Sequence, residues 1–201
     1  MHRRAALGLS LVLAGVALAG WAGAAYGRGW LAQSHARAEW EAKLAHAAVE
    51  RARNYGASST ASLAEGAPVA RLLVPKISLD DIVLEGVTAE VLNGGPGHLP
   101  GSALPGDEGN AVVSAHRDRH FRRLGELALG DTVVTETEAG RTSWRVVGRK
   151  VVHKDAPVIR RESGRVLTLT TCWPIGYLGG APERLILRAV PLDAQSVAAR
   201  Y

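Results

Sequence analysis

The apolar positions of the chain change rhythm three times. Ala5 to Tyr26 is a run of 22 residues without a charge, preceded by His2-Arg3-Arg4. Such a run is long enough to cross a bilayer as a helix. The basic residues ahead of it hold the N-terminus in the cytoplasm and send the rest across. A cleaved signal peptide competes with an uncleaved anchor, because Ala22-Gly23-Ala24 offers a small-residue cleavage site. The length favours the anchor, since the apolar part of a signal peptide covers only about 7 to 15 residues. With no cysteine near the run, a lipoprotein attachment is excluded. From Trp30 to Asn54 the sequence is Ala-rich, mixes both signs of charge and lacks Gly and Pro, which predicts a helix. Its apolar stripe is thin (Leu31, Trp40, Leu44, Ala47, Ala48), as in a solvated stalk or a weakly packing helix rather than a core element. Asn54 to Pro68 then turns to Gly, Ser, Ala and Thr, the composition of a flexible linker.

Beyond Pro68 the period is two. Seven β-branched runs, R-L-L-V-P, I-V-L-E-G, N-A-V-V-S-A-H, T-V-V-T-E-T, S-W-R-V-V-G-R-K-V-V-H, R-V-L-T-L-T-T-C and R-L-I-L-R-A-V, are separated by turn-forming segments. They predict an all-β domain, an antiparallel sandwich or barrel. Glu138 to Arg141, E-A-G-R, reads as a hairpin turn with Gly140 at positive φ. Short helices are expected over Phe121–Leu127 and near Thr88–Leu92. The expected division is therefore a cytoplasmic tip and anchor over 1–29, a helical stalk and linker over 30–68, and a β domain over 69–201.

Length and charge narrow the function. In 201 residues there is room for one ordinary domain with a real core plus extra segments. The net charge of +5 is scattered among Asp and Glu rather than clustered with aromatics, so no nucleic-acid partner is expected. A single cysteine, Cys172, excludes an internal disulfide and leaves a small buried hydrophobe, a reactive thiol or an intermolecular partner.

Strand alternation separates these alternatives. In R-V-L-T-L-T-T-C, Leu167 and Leu169 share one face while Thr168, Thr170 and Cys172 share the other. The thiol thus ends a strand on its less apolar face. In N-A-V-V-S-A-H the same alternation places Asn110, Val112, Ser114 and His116 together, with His116 at a strand's C-terminal end. A thiol and an imidazole at two strand ends suit nucleophilic catalysis, since the thiolate attacks and an imidazolium favours it and protonates a leaving amine. Arg184 opens the last strand after eleven intervening residues beyond Cys172, and a guanidinium there could bind a developing oxyanion. Each feature alone is more often bland, a packed Cys, an incidental His and a solvated Arg.

The combination T-L-T-T-C, Arg184 downstream and G-N-A-V-V-S-A-H-R-D upstream resembles the sortase family of membrane-anchored cysteine transpeptidases. The likeness runs over Arg71–Val190. V-P-K-I-S-L-D-D-I-V-L-E-G, G-P-G-H-L-P-G-S-A-L-P-G and C-W-P-I-G-Y-L-G-G-A-P-E-R are similar to the class D type, including the single sortases of Gram-negative bacteria. The resemblance implies a closed β-barrel of about eight strands with short helices. It implies Cys172 as nucleophile, His116 as general acid and base, and Arg184 at the oxyanion or the substrate backbone. It implies cleavage of an L-P-x-T-G-like sorting signal through a thioester, an amine acceptor, and a catalytic domain on the periplasmic side of the inner membrane. Asp118 or Ser114 is a candidate to orient His116. Arg119 and His120 stand where the family typically carries Phe and Thr. Thr170, Thr171, Trp173, Ile175 and Tyr177 are expected at the substrate, the last three with Leu178 as an apolar wall for a Leu-Pro pair.

No cofactor or metal is implied. His116 and His120 have i, i+4 spacing but no evident third ligand, and Asp80, Asp81 and Glu85 read as solvated carboxylates. Leu99-Pro100-Gly101 and Leu104-Pro105-Gly106 mimic a sorting signal, yet they lie mid-chain and read as turns. Among rivals, an L,D-transpeptidase would carry Arg two residues past its Cys, where this chain has Pro174, and a papain-like protease has its Cys before its His. A non-catalytic anchored adaptor would place Cys172 among leucines and far from His116.

Overall fold

A computed structural model describes residues 2–53, 63–158, 163–177 and 179–192, excepting the helix side chains of 2–11, 25–26 and 48–53. Eight strands close into a barrel: β1 (Pro68–Val74), β2 (Leu79–Glu85), β3 (Gly97–His98), β4 (Gly109–Ser114), β5 (Thr132–Thr137), β6 (Gly140–His153), β7 (Arg165–Trp173) and β8 (Glu183–Pro191), in the order β1-β2-β3-β4-β7-β8-β6-β5. The expectation of a purely antiparallel sheet is corrected by two parallel contacts, β2 with β3 and β4 with β7. The two-residue β3 is too short for any period to announce. It fits only because Gly97 has no side chain to strike the Gly86 carbonyl.

Alternation fills the interior. Leu72, Val74, Val83, Val113, Trp144, Leu167, Leu169, Leu185 and Leu187 converge inside the barrel with Phe121, Leu124 and Leu127. Trp144 is fully buried yet satisfied, its indole N–H donating to Thr135 Oγ1 at 2.8 Å. The expected hairpin forms, with Thr137 opposite Gly140, whose φ is 143°. Near Thr88, α2 (Ala89–Gly94) forms with Thr88 as its N-cap. The helix expected over Phe121–Leu127 shrinks to a 3-10 turn at Leu124–Glu126.

On the N-terminal side, α1 (His2–Arg53) is one helix, and the segment expected as a stalk is docked on the barrel. Ala36 and Trp40, with Leu44 beside them, pack on Ile82, Leu84 and Val91. Three consecutive apolar residues, Ile82-Val83-Leu84, explain this, because Val83 points into the barrel and its neighbours must be covered outside. Gln33 completes the contact as a mimic of a neighbouring strand. Its amide accepts from Ile82 N–H at 3.0 Å and donates to Ile82 O at 3.1 Å and Gly94 O at 2.9 Å. Lys43 adds a bond to Pro68 O and an ion pair with Glu138. Among the described residues no helix is long and apolar enough to cross a membrane. The side chains of 5–11 and 25–26, which open and close the expected span, lie outside the description, as does most of the expected linker (54–62).

Replacing Gln33 by Ala leaves buried backbone groups of Ile82 and Gly94 without partners. The expected loss is about 2 kcal/mol, read as a fall in Tm of about 4–8 °C for a chain of this size. A Tm unchanged from the parent would show that the helix is not docked in solution.

Candidate active site

Strand register builds the site. β4 and β7 run parallel, with Val112 opposite Thr168 and Ser114 opposite Thr170. Two residues further on, each strand reaches the same rim, β7 with Cys172 and the chain leaving β4 with His116. The junction is held past the last ladder pair: Ala115 N–H donates to Thr170 O at 3.2 Å and Thr171 Oγ1 donates to Ala115 O at 2.7 Å. β8 returns antiparallel with Arg184 directly opposite Cys172. Side chains so paired stand about 4.5–5.5 Å apart at Cβ. One thiol, one guanidinium and one imidazole therefore occupy one rim of the barrel.

Their surroundings differ. Cys172 is exposed and shares the outer face with Thr168 and Thr170, not with the leucines, which contradicts the adaptor alternative. Arg184 is half-buried, and among the described residues it has no ion pair. His116 is half-buried, and burial pushes its imidazole below the ordinary value of 6.5. The Asp118 carboxylate opposes that shift, while the Arg119 and His120 charges add to it. Among the described residues neither Asp118 nor Ser114 hydrogen-bonds the His116 ring. Its orientation comes from the backbone turn, where His116 O accepts from Arg119 N–H at 3.3 Å and Phe121 N–H at 3.1 Å.

The expected substrate residues divide between roles. Thr171 points inward and is committed to Ala115. Thr170 lies buried on the Cys172 face, and its hydroxyl finds no partner among the described residues. Trp173, next in the alternation, turns to the core side, where its ring and Ile175 crowd Gly125 and Arg149 lies 5.5 Å over it. Tyr177 is half-exposed beneath Arg117, 5.8 Å from its ring centroid. Leu178 lies outside the described residues. Of the expected wall, Trp173 and Ile175 pack on the barrel, and Tyr177 is left with its ring in the open.

Arg117 escaped the sequence reading. Its guanidinium donates to Pro174 O at 3.0 Å and to Gly179 O at 2.5 Å, tying the loop after Cys172 to the turn that carries His116. The signal was its place next to His116, since five rigid donors suit bare loop carbonyls. Below the rim, a cavity of about 90 Å³ opens on the same outer face, with Asn110, Thr168, Ile186, Val158 and Lys150 in its wall. Thr168 Oγ1 donates to Asn110 Oδ1 at 2.7 Å across the parallel pair. The carboxylates expected to be solvated are paired instead, Glu85 with His98 at 2.6 Å, Asp80 with Arg71 at 2.7 Å and Asp81 with His120 at 2.8 Å. His120 thus faces a carboxylate, and among the described residues no group of three His, Cys, Asp or Glu could hold a metal.

Known proteins bear on this arrangement. A family model described as the sortase domain matches residues 72–192. Sortase D of Bacillus subtilis (strain 168) is 38% identical over 118 residues, which take in 58% of this chain and 60% of that protein's length. A Clostridium perfringens sortase D5 transpeptidase superposes with a TM-score of 0.68 at 22% identity, over 80% of this chain and 98% of its own. Clostridium perfringens sortase C, solved with the C-terminal cell wall sorting motif, gives 0.61 at 23% identity, over 77% of this chain and 88% of its own.

The burial of His116 sets a titration. A lowered value means that the folded protein binds the proton less well than the unfolded chain. The stability linked to His116 is then complete above about 6.5 and declines as pH falls towards the folded value. In an NMR titration the His116 ring should reach its midpoint below 6.5, and Asp118→Asn should lower it further. A midpoint at or above 6.5, or one raised by that substitution, would contradict the assignment.

Proposed function

The chain belongs to the sortase family and is similar within it to sortase D, and we propose that it is a membrane-anchored cysteine transpeptidase. Its substrate is a protein bearing an L-P-x-T-G-like C-terminal sorting signal, which it cleaves between Thr and Gly. The observation that carries this reading is the register at the rim, Cys172 opposite Arg184 beside the parallel strand that leads to His116.

The chemistry follows from those three groups. The Cys172 thiolate attacks the Thr carbonyl carbon, and the oxyanion that forms is met by the Arg184 guanidinium, a cation at every working pH. His116 then gives its proton to the departing Gly nitrogen, the C–N bond breaks, and a thioester remains on Cys172. An incoming amine attacks the thioester and loses a proton to His116. The new amide leaves, and the sulfur is returned as thiolate beside an imidazolium. An imidazole whose proton affinity is lowered by burial gives that proton up readily, which favours the acid step. Tyr177, half-exposed at the rim, is the substrate contact of this proposal, with the buried Thr170 and Thr171 and the packed Trp173 and Ile175 as supports behind it.

The anchor belongs to the same proposal. Ala5–Tyr26 as one helix extends about 33 Å, the thickness of a hydrocarbon core. Val12, Leu13, Val16, Leu18 and Trp21 are all more than 60% exposed, so none of the described residues covers them. A bilayer is their fitting solvent, with the N-terminus cytoplasmic and the barrel on the periplasmic side.

In the full chain, Cys172→Ala should abolish cleavage of a quenched L-P-x-T-G peptide, a fall of at least 10³-fold in kcat/KM, as for loss of a nucleophile. His116→Ala and Arg184→Ala should each cost 10²-fold or more with Tm within about 2 °C of the parent. Cleavage that survives Cys172→Ala would end this reading.

A further inference from the structure

The turn that carries His116 is buttressed from outside the barrel, and the buttress is α1. Phe121 anchors one end of the turn in the core, fully buried. Its other fixed points lead to the helix. His120 Nδ1 stands 2.8 Å from Asp81 Oδ2, with only 14% and 19% of the two side chains exposed. The second oxygen of Asp81 faces Arg37 of α1 at 3.8 Å. Arg37 is itself held on β2, donating to the Asp80 carbonyl and lying 3.4 Å from its carboxylate, which Arg71 grips from β1 through two bonds of 2.7 and 2.8 Å. Arg119 donates to Asn93 O at 3.3 Å. It does so against Gly29, where a Cβ would come within 3.2 Å of the guanidinium and 3.1 Å of that carbonyl. The turn is therefore wedged between the helix and α2 on one side and the barrel on the other.

We propose that α1 is a working part of the catalytic apparatus, with Asp81 and His120 as positioning residues that, held by Arg37, set the turn from which His116 meets the rim. This rests on the role given to His116 above. Because among the described residues no side chain hydrogen-bonds the His116 ring, its placement depends on the turn, and the turn depends on contacts that reach α1. The contacts of this turn can be weakened without stranding a buried charge, since Asp81 keeps Arg37 as a partner when His120 is replaced and Asp81→Asn keeps a hydrogen-bond acceptor for His120. Their loss should therefore show in turnover far more than in melting, since a displacement of about 1 Å at a reacting group costs up to 10²-fold.

The test uses the full chain and an L-P-x-T-G peptide. Asp81→Asn and His120→Ala should each lower kcat about tenfold, with KM within about twofold of the parent and Tm nearly unchanged. His120→Asn, whose amide nitrogen stands where Nδ1 stood, should recover most of the rate. Lys76→Gln, which breaks an exposed ion pair with Asp131 away from the turn, should leave kcat as it is. The His116 ring resonance, read by NMR without turnover, should shift in Asp81→Asn and His120→Ala and return in His120→Asn. An unmoved resonance and rate in those two variants would overturn the proposal, as would an equal loss in His120→Asn. If the resonance moves as expected but the parent cleaves no sorting peptide, the positioning stands and the sortase function falls.

Discussion

The parallel pairing of β4 with β7 is the constraint on which the site depends. Antiparallel neighbours would put the end of one strand at the start of the other and leave His116 and Cys172 at opposite rims. Parallel pairing with Ser114 opposite Thr170 brings both strand ends to one level, and the Thr171 to Ala115 bond carries the match past the last ladder pair. A slip of one residue would turn Cys172 inward and Trp173 outward. The register is protected on both faces. Inside, Ala111 and Val113 pack with Leu167 and Leu169. Outside, Asn110 takes the Thr168 hydroxyl and reaches Val158 of the covering segment. A free thiol can stand at the exposed end of such a strand because the rest of it is buried on both sides.

Rigid strands place Cys172 and Arg184, whereas His116 sits on a turn and needs other support. Arg117 ties that turn to the loop after Cys172, and His120 ties it through Asp81 to Arg37 on α1. Two adjacent stretches of irregular chain are thereby joined by long, multidonor side chains on carbonyls and carboxylates. This is how a site on loops gains precision. It also gives the N-terminal helix a part in the barrel, because one face of it finishes the outer wall over Ile82 and Leu84.

Much of the rim was legible in the sequence because alternation is local. T-L-T-T-C separates Cys172 from the leucines without any knowledge of partners, and the structure keeps that separation. What alternation cannot carry is which strands pair. β4 and β7 are joined across about fifty residues, so their parallel contact lay beyond any local pattern, and β3 is too short to have a period. The docking of α1 had a signal in Ile82-Val83-Leu84, three apolar residues in a row where a solvated outer face would alternate. A thin stripe on α1 pointed the other way, because Gln33, a polar residue doing the work of a strand edge, adds nothing to hydrophobicity. Asp80 and Asp81 read as solvated for the same reason: their partners, Arg71, Arg37 and His120, come from three other elements.

The central claim is that the rim makes a covalent acyl-enzyme at Cys172. Intact-mass spectrometry of the full chain, incubated with an L-P-x-T-G peptide at mildly acidic pH and without added amine, tests it most directly. The account predicts an added mass equal to the peptide up to and including Thr, mapped to the fragment holding Cys172 and removed by hydroxylamine. An unmodified chain, or an adduct on any other residue, would contradict it.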